Sequence, residues 1–150
     1  MIKLYYVKNI DSGDFLESVF NAEGIKDRTI IYGHNGKPYL KSGELFFNLS
    51  HSAGQLVCGV SDEEIGVDIQ KICSKPRVAK KICQPDELEQ IKSPEDFTRV
   101  WTLKESFVKA NGEGLSYGLQ NINTNSLSQA QAWRYGDFYI AICYNKGNRD

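Results

Sequence analysis

Three strand-like runs follow one another between residues 44 and 72, and no other feature narrows the fold as much. They cover residues 44–49, 55–61 and 64–72, joined by Ser50-His51-Ser52-Ala53-Gly54 and by Asp62-Glu63. Connections this short are hairpin lengths. Residues 77–111 then turn helical in two or three pieces, broken near Pro85 and Pro94. Strand patterns return over residues 132–135 and 138–144, around Gly136-Asp137. Upstream, residues 2–8 read as a strand, and residues 15 to about 22 as a short helix closed near Gly24. Residues 29–32 read as a strand ending at the Asn35-Gly36 turn, followed by Lys37-Pro38. Strands, then helices, then strands point to an α+β fold rather than a wound parallel sheet. There is no internal repeat, low-complexity tract or linker.

A chain of 150 residues suits one domain, or two small halves sharing a core. Its 18 Lys and Arg balance 19 Asp and Glu, which argues against a general nucleic-acid or membrane binder. No apolar run approaches the roughly 20 residues of a membrane span. Met1-Ile2-Lys3-Leu4-Tyr5-Tyr6-Val7 reads as a strand and lacks a signal-peptide layout. Cys58, Cys73, Cys83 and Cys143 are scattered, without a Cys-x-x-Cys pair or a zinc-like His cluster. A reduced, cytoplasmic protein is the expectation.

The helix after Ser93 has clear ends: Ser as N-cap, Pro94 at the first helical position, Glu95 and Asp96 in the first turn, and Asn111-Gly112 at the close. Phe97, Trp101 and Val108 form its apolar stripe, and Glu105 lies on or beside it. A carboxylate against apolar surface needs a compensating partner. A Glu105–Lys109 helix pair, worth about 0.2–0.5 kcal/mol, is the plain reading. In the strand Gly66-Val67-Asp68-Ile69-Gln70, Asp68 and Gln70 share one face, where a solvent-facing sheet edge is the plain reading. Taken together, Asp68 and Glu105 could flank Mg²⁺, with Gln70 adding a neutral oxygen and substrate phosphate filling the octahedron. Lys37 in its turn, Ser50 and His51 at a strand end, and Lys104 and Lys109 beside Glu105 are candidate phosphate contacts. Each also has an ordinary structural reading.

Four segments in order, Gly36-Lys37-Pro38-Tyr39-Leu40, Phe47-Asn48-Leu49-Ser50-His51-Ser52, Gly66-Val67-Asp68-Ile69-Gln70 and Trp101-Thr102-Leu103-Lys104-Glu105-Ser106-Phe107-Val108-Lys109, resemble the signatures of Sfp-type 4′-phosphopantetheinyl transferases. Asn111-Gly112-Glu113-Gly114-Leu115 is similar to the tail of the last one. The resemblance implies an α+β fold of two similar halves, each an antiparallel sheet packed on helix. The first half, residues 1–62, would be shortened, and residues 63–150 would carry the metal site. It implies transfer of the phosphopantetheine arm of coenzyme A to a serine of an apo acyl or peptidyl carrier protein, releasing 3′,5′-ADP. By the same resemblance Asp68 and Glu105 would hold Mg²⁺, with Gln70 still able to add a neutral oxygen, and Lys109 would stabilise the pyrophosphate. Lys37, Ser50 and His51 would contact the phosphate and nucleotide end of coenzyme A, and Lys104, from its charge beside Glu105, is a further candidate contact. Glu87, or alternatively Asp86, in Cys83-Gln84-Pro85-Asp86-Glu87-Leu88 would deprotonate the serine. Two departures stand out: Gln70 replaces the usual second acid, and only about 35 residues precede the Gly-Lys-Pro turn. The shorter AcpS-type trimers place the metal Asp near the chain start, so Asp68 fits a trimmed Sfp type better. A degenerate module of the same fold, binding coenzyme A or a carrier protein without catalysis, is the alternative. No nucleic-acid or membrane partner is expected, and monomer and homo-oligomer both stay open.

Overall fold

A computed structural model describes residues 1–112 and 118–144. In chain order the elements are β1 (Ile2–Lys8), α1 (Ser12–Glu23), β2 (Ile30–Tyr32), β3 (Pro38–Leu40), β4 (Phe46–Ser52), β5 (Gln55–Ser61), β6 (Ile65–Lys71), α2 (Pro76–Ile82), α3 (Pro85–Gln90), α4 (Pro94–Asn111), β7 (Ala130–Tyr135) and β8 (Phe138–Tyr144). Two 3-10 turns, Leu119–Asn121 and Thr124–Ser126, precede β7. All strand pairing is antiparallel, in sheets ordered β1-β5-β4 and β6-β8-β7 plus a small β2-β3 hairpin. The α+β expectation is met.

Side-chain alternation sorts these elements into layers. On one face of the first sheet, Phe47, Leu56, Cys58 and Val60 pack with Phe15, Val19 and Phe20 of α1. Asp11 caps α1 by accepting from the Asp14 amide at 3.1 Å, and Gly24 ends it with φ +70°. On the opposite face Ile2, Leu4, Tyr6 and Val57 meet Ile65, Val67, Ile69 and Ile140 of the second sheet. Helix α4 covers the far side of that second sheet, lying on β6 and β8. A third cluster, Ala79, Ile82, Cys83, Phe97 and Val100, ties α2 to α4.

Two glycines set the spacing between layers. A Cβ on Gly59 would stand 2.7 Å from Val67 Cγ1 and 2.8 Å from Ile65 Cδ1, so its absence lets the sheets approach. A Cβ on Gly66 would stand 2.2 Å from both Ala110 N and Ser106 O, so the backbone of α4 rests directly on β6.

Two expected connections change. Strand β4 runs on to Ser52 and turns through Ala53 and Gly54, at φ +47° and +81°, giving a two-residue hairpin in place of a five-residue connection. The Asp62-Glu63 link makes no hairpin: β5 and β6 belong to different sheets, and β6 pairs with β8. The helical stretch divides as its prolines demand, each of α2, α3 and α4 opening on Pro. Strand β3 was not foreseen, and Glu113-Gly114-Leu115 of the similar tail lie outside the described residues.

Candidate functional site

Strand β6 pairs with β8 along one edge, which leaves the amides of Val67, Ile69 and Lys71 on the other. Side chains of β4 take them. Asn48 Oδ1 accepts from Val67 N at 2.8 Å, Ser50 Oγ from Ile69 N at 3.3 Å, and Ser52 Oγ from Lys71 N at 3.1 Å. The alternating polar positions of β4 thus form a ladder to a strand running in the same direction. Buried amides demand such partners.

Asp68 lies between two rungs of this ladder and is 5% exposed. Its Oδ1 accepts from Ser50 Oγ at 3.0 Å and its Oδ2 from Gln70 Nε2 at 2.9 Å. Burial pushes its carboxyl up to about 6, against the pull of Lys109 and of the Gln70 and Ser50 hydrogen bonds; Glu105 adds a smaller upward push. Because α4 touches β6 at Gly66, Glu105 and Lys109, one helical turn apart, reach the same region. Lys109 donates to Leu49 O at 2.7 Å rather than to Glu105. Burial lowers its ammonium's affinity for the proton, while the charges of Asp68 and Glu105 restore part of it. Glu105 is half-buried and accepts from Trp101 Nε1 at 3.2 Å, with Lys75 Nζ 4.8 Å above the indole.

Asp68, Gln70, Ser50, Glu105 and Lys109 therefore share one junction of β4, β6 and α4. A pocket of about 240 Å³ adjoins it, lined in part by Asn35, Pro38, Leu49, Val108 and Lys109. Among the described residues no group of three or more His, Cys, Asp or Glu gathers for a metal. The oxygen donors at the junction are two carboxylates and an amide. That set fits Mg²⁺, which takes one or two carboxylates and completes its shell with water and phosphate, and does not fit a zinc site. Gln70 now presents nitrogen to Asp68, and a half-turn of the amide would present oxygen.

Glu87, its alternative Asp86, Lys104, Lys37 and His51 lie elsewhere or are otherwise engaged. Glu87 and Lys104 are both 0% exposed and pair at 2.8 Å in the core. Glu87 also accepts from Gln84 N at 2.9 Å, Thr124 N at 3.1 Å and Thr124 Oγ1 at 2.8 Å. Burial would raise its carboxyl, but the Gln84, Lys104 and Thr124 hydrogen bonds prevail and hold it below the usual range. Lys104 Nζ donates as well to the carbonyls of Ile82, Leu119 and Ile122. Glu87 thus presents no surface to solvent, and the Lys104 ammonium is engaged by Glu87 and three main-chain carbonyls. Asp86 is exposed and held by Asn123 and Asn125, whose hydrogen bonds lower its carboxyl. Lys37 lines the pocket, yet its ammonium is spent on Ile65 O at 2.8 Å, Ala110 O at 3.2 Å and Glu64 at 3.3 Å. His51 is exposed on the opposite face of β4 from Ser50, in a separate hollow with Ile10, Ser12 and Leu56.

Sequence reasoning missed the β4 ladder, the Trp101 hydrogen bond to Glu105 and the close approach of α4 at Gly66. The Asn-x-Ser-x-Ser alternation was the available signal for the first. Nothing in a one-dimensional pattern distinguishes Gly66 from a glycine at a turn.

The family model described as the 4′-phosphopantetheinyl transferase superfamily matches residues 64–146. A 4′-phosphopantetheinyl transferase of Bacillus subtilis is 36% identical over 125 residues, 74% of this chain and 55% of its own length. One of Bacillus pumilus is 36% identical over 108 residues, 65% of this chain and 46% of its own. The 4′-phosphopantetheinyl transferase AcpT of Salmonella typhimurium is 34% identical over 132 residues, 76% of this chain and 66% of its own. Among these three relatives, the chain spans between 46% and 66% of the relative's own length.

Proposed function

The chain belongs to the 4′-phosphopantetheinyl transferase superfamily, and from that premise we propose that it moves the phosphopantetheine arm of coenzyme A onto a serine of an apo acyl or peptidyl carrier protein. The observation that carries this reading is the meeting of Asp68, Gln70, Glu105 and Lys109 at one junction. Asp68, Gln70 and Glu105 would hold Mg²⁺. When bound, that ion supplies charge neutralisation on the pyrophosphate. Lys109 uses one of its three N–H donors on Leu49 O, and the remaining two are suited to diphosphate oxygens. The adjoining pocket, at about 240 Å³, is below the roughly 300–1,000 Å³ of a full ligand site and would receive one end of coenzyme A.

In the reaction the serine oxygen forms a bond to the pantetheine-side phosphorus. The bond from that phosphorus to the bridging oxygen breaks, and 3′,5′-ADP departs with the electron pair. Transfer of this kind depends on positioning and electrostatics more than on a strong base. With Glu87 sealed in the core, Glu105 is the carboxylate we assign to the serine proton, at Oε2. That oxygen has no protein partner among the described residues.

We also read the chain as two halves, residues 1–62 and 63–150. The equal strand order of β1-β5-β4 with α1 and of β6-β8-β7 with α4 supports this division.

The test is to incubate the purified chain with Mg²⁺, coenzyme A and several apo carrier proteins, and to weigh the carriers. A phosphopantetheine increment that vanishes in Asp68→Ala and Glu105→Ala supports the proposal. No increment on any carrier, beside a competent transferase as control, overturns it. Coenzyme A binding indifferent to Mg²⁺ would then mark a non-catalytic module.

A further inference from the structure

We propose that Ser50 is a positioning residue that fixes the Asp68 carboxylate in one orientation, biasing it to coordinate through Oδ2, and so favours Mg²⁺ over Ca²⁺. This rests on the reading of Asp68 as a holder of the metal. Of the three ladder side chains on β4, Ser50 alone relays between backbone and carboxylate. Its lone pair receives the Ile69 amide at 3.3 Å, and its single hydrogen goes to Asp68 Oδ1 at 3.0 Å. A hydroxyl has one hydrogen and two lone pairs, so the amide's approach leaves that hydrogen little freedom to turn elsewhere. Ser50 is itself buried, at 7% exposure, which keeps water from competing for either bond.

The two oxygens of Asp68 are therefore unequal. Oδ1 is tied to a main chain that is held in turn by β8. Oδ2 is tied to the Gln70 side-chain amide, which can rotate and exchange nitrogen for oxygen. A carboxylate anchored through one oxygen is held in one orientation and turns its other oxygen to an ion more readily than both at once. Mg²⁺ accepts that, because its small octahedral shell takes one oxygen per carboxylate and retains waters. Ca²⁺ collects six to eight oxygens and gains most from bidentate carboxylates, which the Ser50 bond opposes. Among the described residues Asn48 and Ser52 bond to amides and not to Asp68, so they share the ladder role without this one.

The experiment is calorimetric titration of the full chain, in the presence of coenzyme A, with magnesium chloride and separately with calcium chloride. Ser50→Thr and Ser50→Val have the same shape and differ in the hydroxyl. Ser52→Ala removes a rung that does not touch Asp68. Ser50→Val is expected to lose about 10- to 100-fold in Mg²⁺ affinity, as removal of a group that orients a metal ligand commonly does. Its Ca²⁺ affinity falls less, so the preference narrows, while Ser50→Thr and Ser52→Ala keep the parent's ratio. If Ser50→Val does not fold, Ser50→Cys, with a weakly donating thiol, takes its place. Equal Mg²⁺-to-Ca²⁺ ratios in the Thr and Val variants would overturn the proposal while the metal reading stands. A parent chain that binds no Mg²⁺ beside coenzyme A would overturn the metal reading, and this proposal with it.

Discussion

Replacing Gly66 by Ala tests whether the contact of α4 with β6 is what assembles the site. The added methyl would lie 2.2 Å from Ser106 O and from Ala110 N, where ordinary contact begins at 3.4 Å. The misfit of about 1.2 Å falls on helix backbone, which cannot rotate aside as a side chain does. Gly66 is not among the positive-φ glycines, so alanine is conformationally acceptable there. Relief of strand flexibility alone would make Gly66→Ala stabilising by about 0.5–1 kcal/mol. Overpacking opposes this with about 3 kcal/mol, the upper part of the usual range because both obstacles are rigid. At about 2–4 °C per kcal/mol for a chain of this length, the melting temperature should fall by about 4–10 °C. Displacing Glu105 and Lys109 by about 1 Å should cost on the order of a hundredfold in transfer rate, measured on the fraction still folded. Gly59→Ala is the control: its obstacles are the Val67 and Ile65 methyls, which can yield, and α4 does not touch it. It should lower the melting temperature less and leave Mg²⁺-dependent coenzyme A binding intact. A Gly66→Ala protein that melts at or above the parent's temperature and binds equally well would refute the argument.

Asp68→Asn should stabilise the metal-free protein at pH 8. The folded value of about 6 lies above the ordinary 3.8, so the ionised group costs stability. That cost is absent below about pH 4, grows as pH rises towards 6, and levels off near 3 kcal/mol above it. Thermal melts in chelator should show the variant ahead at pH 8 and level with the parent at pH 4; a gap independent of pH would contradict this. Glu87→Gln strands the Lys104 ammonium in the core and should cost about 3–5 kcal/mol, with a melting temperature lower by roughly 10 °C. Its transfer rate per folded molecule, measured below the melt, should stay near the parent's; a collapse of that rate in intact protein would return Glu87 to the chemistry. Lys37→Met should likewise weaken the fold more than it weakens coenzyme A affinity, as paired denaturation and binding curves would report.

The strand bearing Asp68 was readable because Val67 and Ile69 alternate with it, and alternation is a local property. That Asp68 and Glu105 meet came from the order of whole segments, since no periodicity links residues so far apart. The pairing of Glu87 with Lys104 in the core was hidden for a related reason. An acid in the first turn of a helix looks the same whether it caps an exposed end or accepts from Lys104 and Thr124 in the core. Lys104 adjoins Glu105 in sequence, but consecutive helix positions point about 100° apart, and one faces the core while the other faces the junction. The extra length of β4 was hidden because Ser50, Ser52 and Ala53 resemble loop residues until their partners on β6 and the positive φ of Ala53 are known. The missing hairpin between β5 and β6 follows from the same bonds, which already occupy the amides such a hairpin would have used.

The ladder from β4 also works as a proofreading device during assembly. Sliding β4 by one residue would aim Phe47, Leu49 and His51 at the amides of Val67, Ile69 and Lys71. Two aliphatic or aromatic groups accept nothing, and the shifted arrangement would leave buried donors empty. Main-chain pairing tolerates many alignments because every peptide unit is alike, whereas these three rungs accept a single one. Three short polar side chains thereby give two strands that never pair a unique mutual alignment.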